Sequence, residues 1–401
     1  MTSEWHEVPL RELVGYISKG IAPSYAEEAS ESTIRVLNQK CNRNFRISYG
    51  DSRLHDTLKK KVPPERYVKP DDILINSTGA GTAGRIAQIE DVPSATTIDG
   101  HMILIRSNGK VTQKFLGYAL KAHQWEVLQL DEGSTGQTEL NRDRLLDEIM
   151  INYPVSLDEQ NAIVGTLESI DRKLIVNEQL NDNLEQQAQS YFQELFVDNA
   201  DPEWAIGTIS DLGTVVGGST PSKAKPEYYT ESGIAWITPK DLSINKSKFV
   251  SHGENDITEL GLKNSSAAIM PEGTVLFSSR APIGYIAIAA GEVTTNQGFK
   301  SVVPKPEIGT PFVYFFLKNT LPVIEGMASG STFKEVSGST MKNVPAVIPD
   351  AETLAKFSDF CAPIFAQQRI LEEQNQSLAT LRDNLLPKLM SGEIDVSTVQ
   401  L

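Results

Sequence analysis

Gly79-Ala80-Gly81-Thr82-Ala83-Gly84 fits G-x-G-x-x-G and follows the apolar run Ile73-Leu74-Ile75. Where such a motif opens the helix of a βαβ unit, its backbone cradles a pyrophosphate. Here Arg85 to Ile89 read as strand, no βαβ unit fits around them, and the glycines are those of a turn. Asp171-Arg172-Lys173 imitates the D-x-K end of a nuclease site but lies in a long helical pattern, where charges on a solvated flank are expected. His6, His55, His101, His123 and His252 form no metal-ligand spacing with one another or with Cys41 and Cys361. No phosphate-binding P-loop occurs, and Asn152-Tyr153-Pro154 only superficially resembles an Asn-Pro-Pro-Tyr methyl-transfer motif. The chain holds no self-sufficient catalytic constellation. Binding is the chemistry that remains. Residues 34–69 carry ten basic and three acidic side chains, among them Arg35, Lys40, Arg43, Arg46, Arg53 and Lys59-Lys60-Lys61.

A net charge of −15 over 401 residues argues at first against a polyanionic partner. Its distribution reverses that. Residues 1–150 and 201–349 carry −2 each, whereas 151–200 carry −7 and 350–401 carry −4. The acidity lies in two short segments and leaves the larger ones nearly neutral. The second copy of the basic stretch, residues 215–248, is weaker, with Lys223, Lys225, Lys240, Lys246 and Lys248 against three acids.

"Copy" is meant literally, because the first half of the chain recurs in the second at an offset of 194 to 201 residues. Trp5 answers to Trp204, and Pro70-Asp71-Asp72-Ile73-Leu74-Ile75 to Pro271-Glu272-Gly273-Thr274-Val275-Leu276. Gly84-Arg85-Ile86-Ala87 answers to Gly284-Tyr285-Ile286-Ala287, Thr96-Thr97 to Thr294-Thr295, and Gly133-Ser134-Thr135 to Gly330-Ser331-Thr332. A period this long marks a duplicated domain rather than a solenoid.

The two acidic segments read as helices. Ile163, Leu167, Ile170, Leu174, Asn177, Asn181, Leu184, Ala188, Tyr191 and Leu195 step by alternating fours and threes. Phe357, Cys361, Ile364, Gln368, Leu371, Asn375, Leu378, Arg382, Leu385 and Leu389 repeat those steps at an offset of 194. Such a stripe must be buried against a similar one. The economical partner is the other copy, in an antiparallel pair related by a pseudo-twofold. Asn181 and Asn375 share a heptad position, where a polar residue sets register. Pro363 predicts a kink or a helix start. About 35 helical residues make a rod of roughly 50 Å.

Each globular copy reads as mixed α/β. Strands are expected at Asp72–Asn76, Ile86–Ile89, Met102–Arg106, Val275–Ser278, Ile286–Ala289 and Ser301–Val303. Helices are expected at Gln113–Leu128 and Pro311–Leu321. The domain plan is therefore 1–153 and 198–349 as globular domains, 154–197 as the first spacer helix, and 350–401 as the second with a tail. The polar, acidic start is unlike a signal peptide, and no run of about 18 apolar residues suits a membrane span. The two cysteines read as free thiols of a reducing cytoplasm.

Several motifs together resemble the specificity (S) subunits of Type I restriction-modification systems. Pro70–Ile75 and Glu272-Gly273-Thr274-Val275-Leu276-Phe277-Ser278-Ser279-Arg280 resemble that family's G-D-[IV]-L-[IF]-S-x-R turn. Gly133-Ser134-Thr135-Gly136-Gln137 and Gly330-Ser331-Thr332-Phe333-Lys334 are similar to its G-[ST]-x-[QR] loops. Leu157-Asp158-Glu159-Gln160 resembles its first spacer start, and Leu385-Leu386-Pro387-Lys388-Leu389-Met390-Ser391-Gly392-Glu393-Ile394 its C-terminal ending. Asn76-Ser77-Thr78-Gly79 lacks the arginine present at Arg280, and Asp350-Ala351-Glu352 is a weaker helix start without a Glu-Gln pair.

The resemblance implies two target-recognition domains, each reading half of a bipartite, asymmetric double-stranded DNA target, with the helices as a ruler between them. It implies two methyltransferase (M) subunits docked on the helices and endonuclease/translocase (R) subunits joining that core. S-adenosylmethionine, ATP and Mg would act in those partners, and this chain would be no enzyme. Arg and Lys can read guanine, Asn and Gln adenine, in the major groove. On that basis Lys40, Arg43, Arg46, Lys59, Lys60, Asn76, Arg85 and Gln137 are the expected contacts in the first copy. In the second they are Thr220, Lys223, Lys225, Lys240, Arg280, Asn296 and Lys334. One other reading stays open, a coiled-coil adaptor with two protein-binding domains, which leaves the basic stretch unexplained; a third, a nucleotide-dependent enzyme built on the Gly79 turn, fails in the second copy.

Overall fold

The computed structural model describes residues 4–79, 81–132, 139–280, 282–330 and 334–399. The chain divides into two compact units, one of Met1–Lys173 with Leu378–Leu401, the other of Leu174–Ser377.

In the first unit an antiparallel sheet runs in the order Val14–Lys19, Met102–Ser107, Ile73–Asn76, Ile86–Gln88. Its central strands are apolar at consecutive positions because both faces are covered. Ile73, Ile75, Ile103 and Ile105 face the helix Gln113–Ala122 through Phe115, Leu116 and Leu120. Leu74, Met102 and Leu104 face the other way, onto Leu37, Cys41 and Ile98. That second layer is a sheet ordered Thr96–Ile98, Thr33–Leu37, Arg53–Asp56, Tyr25–Ala26, its first pair parallel.

The second unit repeats the plan. Gly213–Gly217, Lys300–Pro304, Val275–Phe277 and Ile286–Ala289 form the corresponding sheet, extended by Phe249–Val250. Val275, Phe277 and Val302 pack on Phe312, Val313 and Phe315 of the helix Thr310–Gly326, while Leu276, Ala287 and Ala289 pack on Ala235, Ile237 and Val250. The second layer is again a four-stranded sheet ending in a parallel pair, Ile234–Ile237 with Thr294–Thr295.

Two long helices, Leu157–Gln193 and Ala351–Met390, each contribute to both units. Gln160 secures the start of the first: its amide donates to Pro154 O at 2.9 Å and accepts from Thr112 N at 2.8 Å. A π-helical turn, Glu194–Asp198, follows that helix. Asp350 secures the start of the second, accepting from Thr353 N at 2.9 Å, and these hydrogen bonds hold its carboxyl below the usual range. The "weaker" start is thus a capped one, and the helix begins well before Pro363 rather than at it.

Within each unit the two helices touch with opposite sense. In the first, Ile163 and Leu167 share a core with Leu386 and Leu389. Ile170 and Leu174 are buried as well. In the second unit, Asn177 Nδ2 donates to Asn375 Oδ1 at 2.8 Å, Asn181 Nδ2 to Glu372 Oε1 at 3.3 Å, and Gln368 Nε2 to Asn181 O at 3.2 Å. Ile364 and Leu371 are buried, while Leu184 and Leu378 are half-buried. Asn375 therefore meets Asn177 rather than Asn181, because facing residues on antiparallel helices need not share a heptad letter.

The expected helix Gln113–Leu128 is interrupted at His123, with a short second piece, Gln124–Val127. The expected Pro311–Leu321 lengthens to Thr310–Gly326 and runs through Pro322. Among the described residues no helix is long and apolar enough to cross a membrane.

Candidate nucleic-acid interface

In the first unit, Asn42–Arg43 and Arg46–Ile47 form a small hairpin in which Arg43 lies directly opposite Arg46. Its loop residues Asn44 and Phe45 have φ of 53° and 60°. A tight hairpin turn asks for two positive φ in a row, which usually selects Asn-Gly. Phenylalanine there costs about 1–3 kcal/mol. Packing offsets that cost. The Phe45 ring lies against the main core, with Lys121 Nζ 5.0 Å from its centroid. Asn42 is fully buried and donates to Arg85 O at 2.8 Å and to Asn76 Oδ1 at 3.2 Å. Like charges facing each other across a hairpin are unfavourable for the fold. The exposed Arg43 of that pair is favourable for an anion.

The hairpin borders a groove of about 650 Å³ whose lining includes Lys40, Arg43, Arg85, Gln39, Asn42 and Gln124. Lys40 sits on a single turn, Gln39–Cys41, capped by Asn38, whose side chain accepts from Lys40 N at 2.9 Å. Arg85 is exposed and donates through Nη2 to Gly81 O at 3.1 Å. Lys40 and Arg43 are exposed, and among the described residues neither has a carboxylate partner. Beneath them the buried acceptor Asn42 Oδ1 has no hydrogen-bond partner among the described residues. Three cations around a concave, amide-lined surface suit a phosphate backbone and the edges of bases.

The glycine motif lies beside this groove as a strand-to-strand turn. Gly84 has φ 84°, its N–H donates to Asn76 O at 2.8 Å, and a Cβ there would stand 2.9 Å from Val127 O. Gly284 holds the same place in the second unit with φ 90°.

The second unit gathers its cations differently. The backbone frame matches: Val336 N donates to Ser279 O at 2.9 Å, as Leu140 N does to Ser77 O at 2.8 Å. Arg280 therefore stands where the first unit has Thr78. Arg280 Nε is 3.1 Å from Glu335 Oε2, and Lys300 Nζ is 3.8 Å from the same carboxylate. Burial pushes the Lys300 amine down, against the pull of Glu335. Lys225 pairs with Glu227 at 3.6 Å and Lys240 with Glu254 at 2.5 Å. Lys223 and Lys334 are exposed.

Several expected contacts are corrected by this geometry. Asn76 is fully buried and its Nδ2 donates to Gln39 O at 3.2 Å, so it supports the groove instead of reading a base. Asn296 is occupied in its own turn, accepting from Gly298 N at 2.8 Å, and Thr220 bonds to Gln297. Lys59 and Lys60 lie on a separate turn, the first 3.8 Å from Asp56 and the second donating to Ala22 O at 2.8 Å. Neither lines the groove. Arg46 is half-buried beside it, and Gln137 lies outside the described residues. Asp171 is no solvated flank charge: it accepts from Lys121 Nζ at 3.2 Å and Arg382 Nη1 at 3.0 Å. Among the described residues no cluster of histidine, cysteine or carboxylate could hold a metal ion.

Asn42, Phe45, Gln39 and Gln124 escaped the sequence reading. Asn44-Phe45 carries no turn signature, and a buried asparagine looks like a surface one until its partners are known.

The comparisons with known proteins agree with this arrangement. A family profile described as "Type I restriction modification DNA specificity domain" matches residues 2–186 and again 202–381. The chain is 39% identical over 194 residues to the Type I restriction enzyme MjaIX specificity subunit of Methanocaldococcus jannaschii, covering 46% of this chain and 45% of that one. It is 27% identical over 194 residues to the HindI specificity subunit of Haemophilus influenzae, covering 48% and 42%. These matches span less than half of each relative. The fold is similar to the crystal structure of a Type I restriction-modification system S subunit from M. genitalium, with a TM-score of 0.59, 17% identity, and coverage of 97% and 96%. With both halves matched and the fold shared along nearly its whole length, the chain belongs to the Type I restriction-modification DNA-specificity family.

Proposed function

We propose that this chain is the sequence-specific DNA-recognition subunit of a Type I restriction-modification complex. Each globular domain, 1–153 and 198–349, reads one half of a bipartite, asymmetric target. The helical segments 154–197 and 350–401 form an antiparallel coiled coil about a pseudo-twofold, set the gap, and dock two methyltransferase subunits. The endonuclease/translocase subunits join that core in the cytoplasm. Methyl transfer from S-adenosylmethionine and Mg-dependent ATP hydrolysis with cleavage belong to those partners, and this chain contributes recognition alone.

The observation that carries the reading is the cationic groove of the first unit, set on a fold that occurs twice. Non-specific affinity for DNA comes largely from phosphate contacts. A chain of net charge −15 with few open cations leaves most of those contacts to its partners, so the isolated chain should bind DNA weakly. Sequencing the methylome of a methylation-free host that carries this chain and its methyltransferase, against the methyltransferase alone, tests the function. A bipartite adenine-methylation motif that depends on this chain is expected. A stable complex that yields no motif would overturn the recognition role.

A further inference from the structure

Two buried ion clusters fasten the globular parts to the long helices. In the first unit Asp171 accepts from Arg382 Nη1 at 3.0 Å, from Lys121 Nζ at 3.2 Å and from Tyr118 OH at 2.9 Å. In the second, Glu185 receives Lys248 Nζ and Lys318 Nζ, each at 2.5 Å, and Tyr314 OH at 3.2 Å. These are covered charges: the Asp171, Arg382 and Lys248 side chains are 17%, 18% and 5% exposed. Lys121 and Lys318 are repeat equivalents, 197 residues apart, within the matching helices Gln113–Ala122 and Thr310–Gly326. The carboxylates are not equivalents. At the helical offset of 194, Asp171 corresponds to Phe365, Glu185 to Ala379, Arg382 to Ala188 and Gln368 to Leu174.

The pairs share a direction instead. Asp171–Arg382, Glu185–Lys248 and Glu185–Lys318 each cross from one half of the chain to the other, and each has its acid on the helix Leu157–Gln193 and its cation in the second half. Like-with-like pairing would forfeit all three. Two second-half helices would set Arg382 against Phe365 and leave Lys248 and Lys318 without Glu185, beside Gln368 and a Glu372 whose oxygens already accept from Lys248 N and Phe249 N. Two first-half helices would set Glu185 against Leu174, with Lys121 in the place of Lys318 but already bonded to Asp171, so that two buried acids would share one lysine. A buried charge stripped of its partner is strongly destabilising, more so than the intact pair is stabilising.

We propose that these three pairs are a pairing code: the first-half helix accepts only the second half of such a chain, its own or a second copy's, and rejects its own kind. Any assembly of these chains then presents one globular fold of each kind and never two alike. The code stands whatever the globular folds bind.

The test uses two differently tagged full-length chains. One carries Asp171→Arg and Glu185→Lys, the other Arg382→Asp, Lys248→Glu and Lys318→Glu. Each alone should melt roughly 10 °C or more below the parent. Co-expressed, they should co-purify in equal amounts, as two parent chains with the same tags do not, and regain most of the lost melting temperature. All five reversals in one chain should melt above either partial set, short of the parent because Lys121 still faces residue 171, and without co-purification. If the heavily reversed chains precipitate, Asp171→Arg in one chain and Arg382→Asp in the other asks the same question with one change each. Preferential association of these two over either with the parent supports the code. Indifference to the matching partner, or a five-fold reversal no more stable than either partial one, overturns it.

Discussion

The two units use one backbone frame to present opposite electrostatics. In both, the chain just past the strand before the glycine turn is bonded to the segment that follows the Gly-Ser-Thr loop, through Leu140–Ser77 and Val336–Ser279. In the first unit the glutamate of that segment, Glu139, is drawn off to Lys19, away from the groove lined by Lys40, Arg43 and Arg85. In the second, Glu335 sits on Arg280 itself, and Lys225 and Lys240 have carboxylates of their own. A charge without a partner is held ready for a ligand. A paired one must first give up its partner, and that exchange lowers the net gain. The difference teaches that the two copies of a duplicated fold diverge both in where their cations stand and in whether a carboxylate covers them.

That comparison can be broken most sharply at Arg43. Arg43→Ala should lower methylation of the first unit's half-site targets roughly 5- to 150-fold, since one good base contact is worth about 1–3 kcal/mol. A change smaller than that of Arg280→Ala would invert the account. Asn42→Ala removes the buried anchor of the hairpin and should destabilise the chain by about 1–3 kcal/mol, read from chemical denaturation. It should also mimic part of the Arg43 defect, because the hairpin loses its seat. Arg280→Ala should cost less than tenfold in methylation of the second half-site, and Glu335→Gln should recover some affinity by freeing Lys300. At the weak end, Lys240→Ala breaks a solvent-exposed pair and should leave both activity and stability unchanged.

Acid offers a common treatment of both units. Burial pushes the Asp171 carboxyl up, but Lys121, Tyr118 and Arg382 outweigh it and hold the group below its ordinary value. Glu185 is likewise lowered by Lys248 and Lys318 against its burial. A folded-state pKa below the unfolded one contributes stability at neutral pH that is lost as pH falls through the folded value. Melting temperature should therefore drop on acidification below the ordinary carboxylate range, and Asp171→Asn with Glu185→Gln should flatten that dependence. An unchanged slope would remove these carboxylates from the stability of the helix pair.

Much of the fold was legible because burial on both faces writes strands as unbroken apolar runs: Ile73–Asn76, Met102–Ser107 and Ile286–Ala289 fall where the sequence placed them. The heptad stripes likewise marked the helices. The interface was harder to read. Lys40, Arg43 and Arg85 were visible as cations, but 40 and 85 converge only through a hairpin whose turn, Asn44-Phe45, breaks the usual rule. Asn76 and Asn296 were misassigned for one reason: an amide that could read a base can equally satisfy a buried strand end or a turn, and spacing does not distinguish the two. Asp171 looked solvated because its partners Lys121 and Arg382 are 50 and 211 residues away.

The central claim is that the first unit reads its half-site through the open cations of the hairpin groove. Its most direct test is the methylation rate of the assembled complex on duplexes altered one base pair at a time, for the parent and for Arg43→Ala. The account predicts that the variant loses discrimination at one or two adjacent positions of a single half-site and keeps it throughout the other. Uniform loss across both half-sites, or unchanged discrimination, would contradict it.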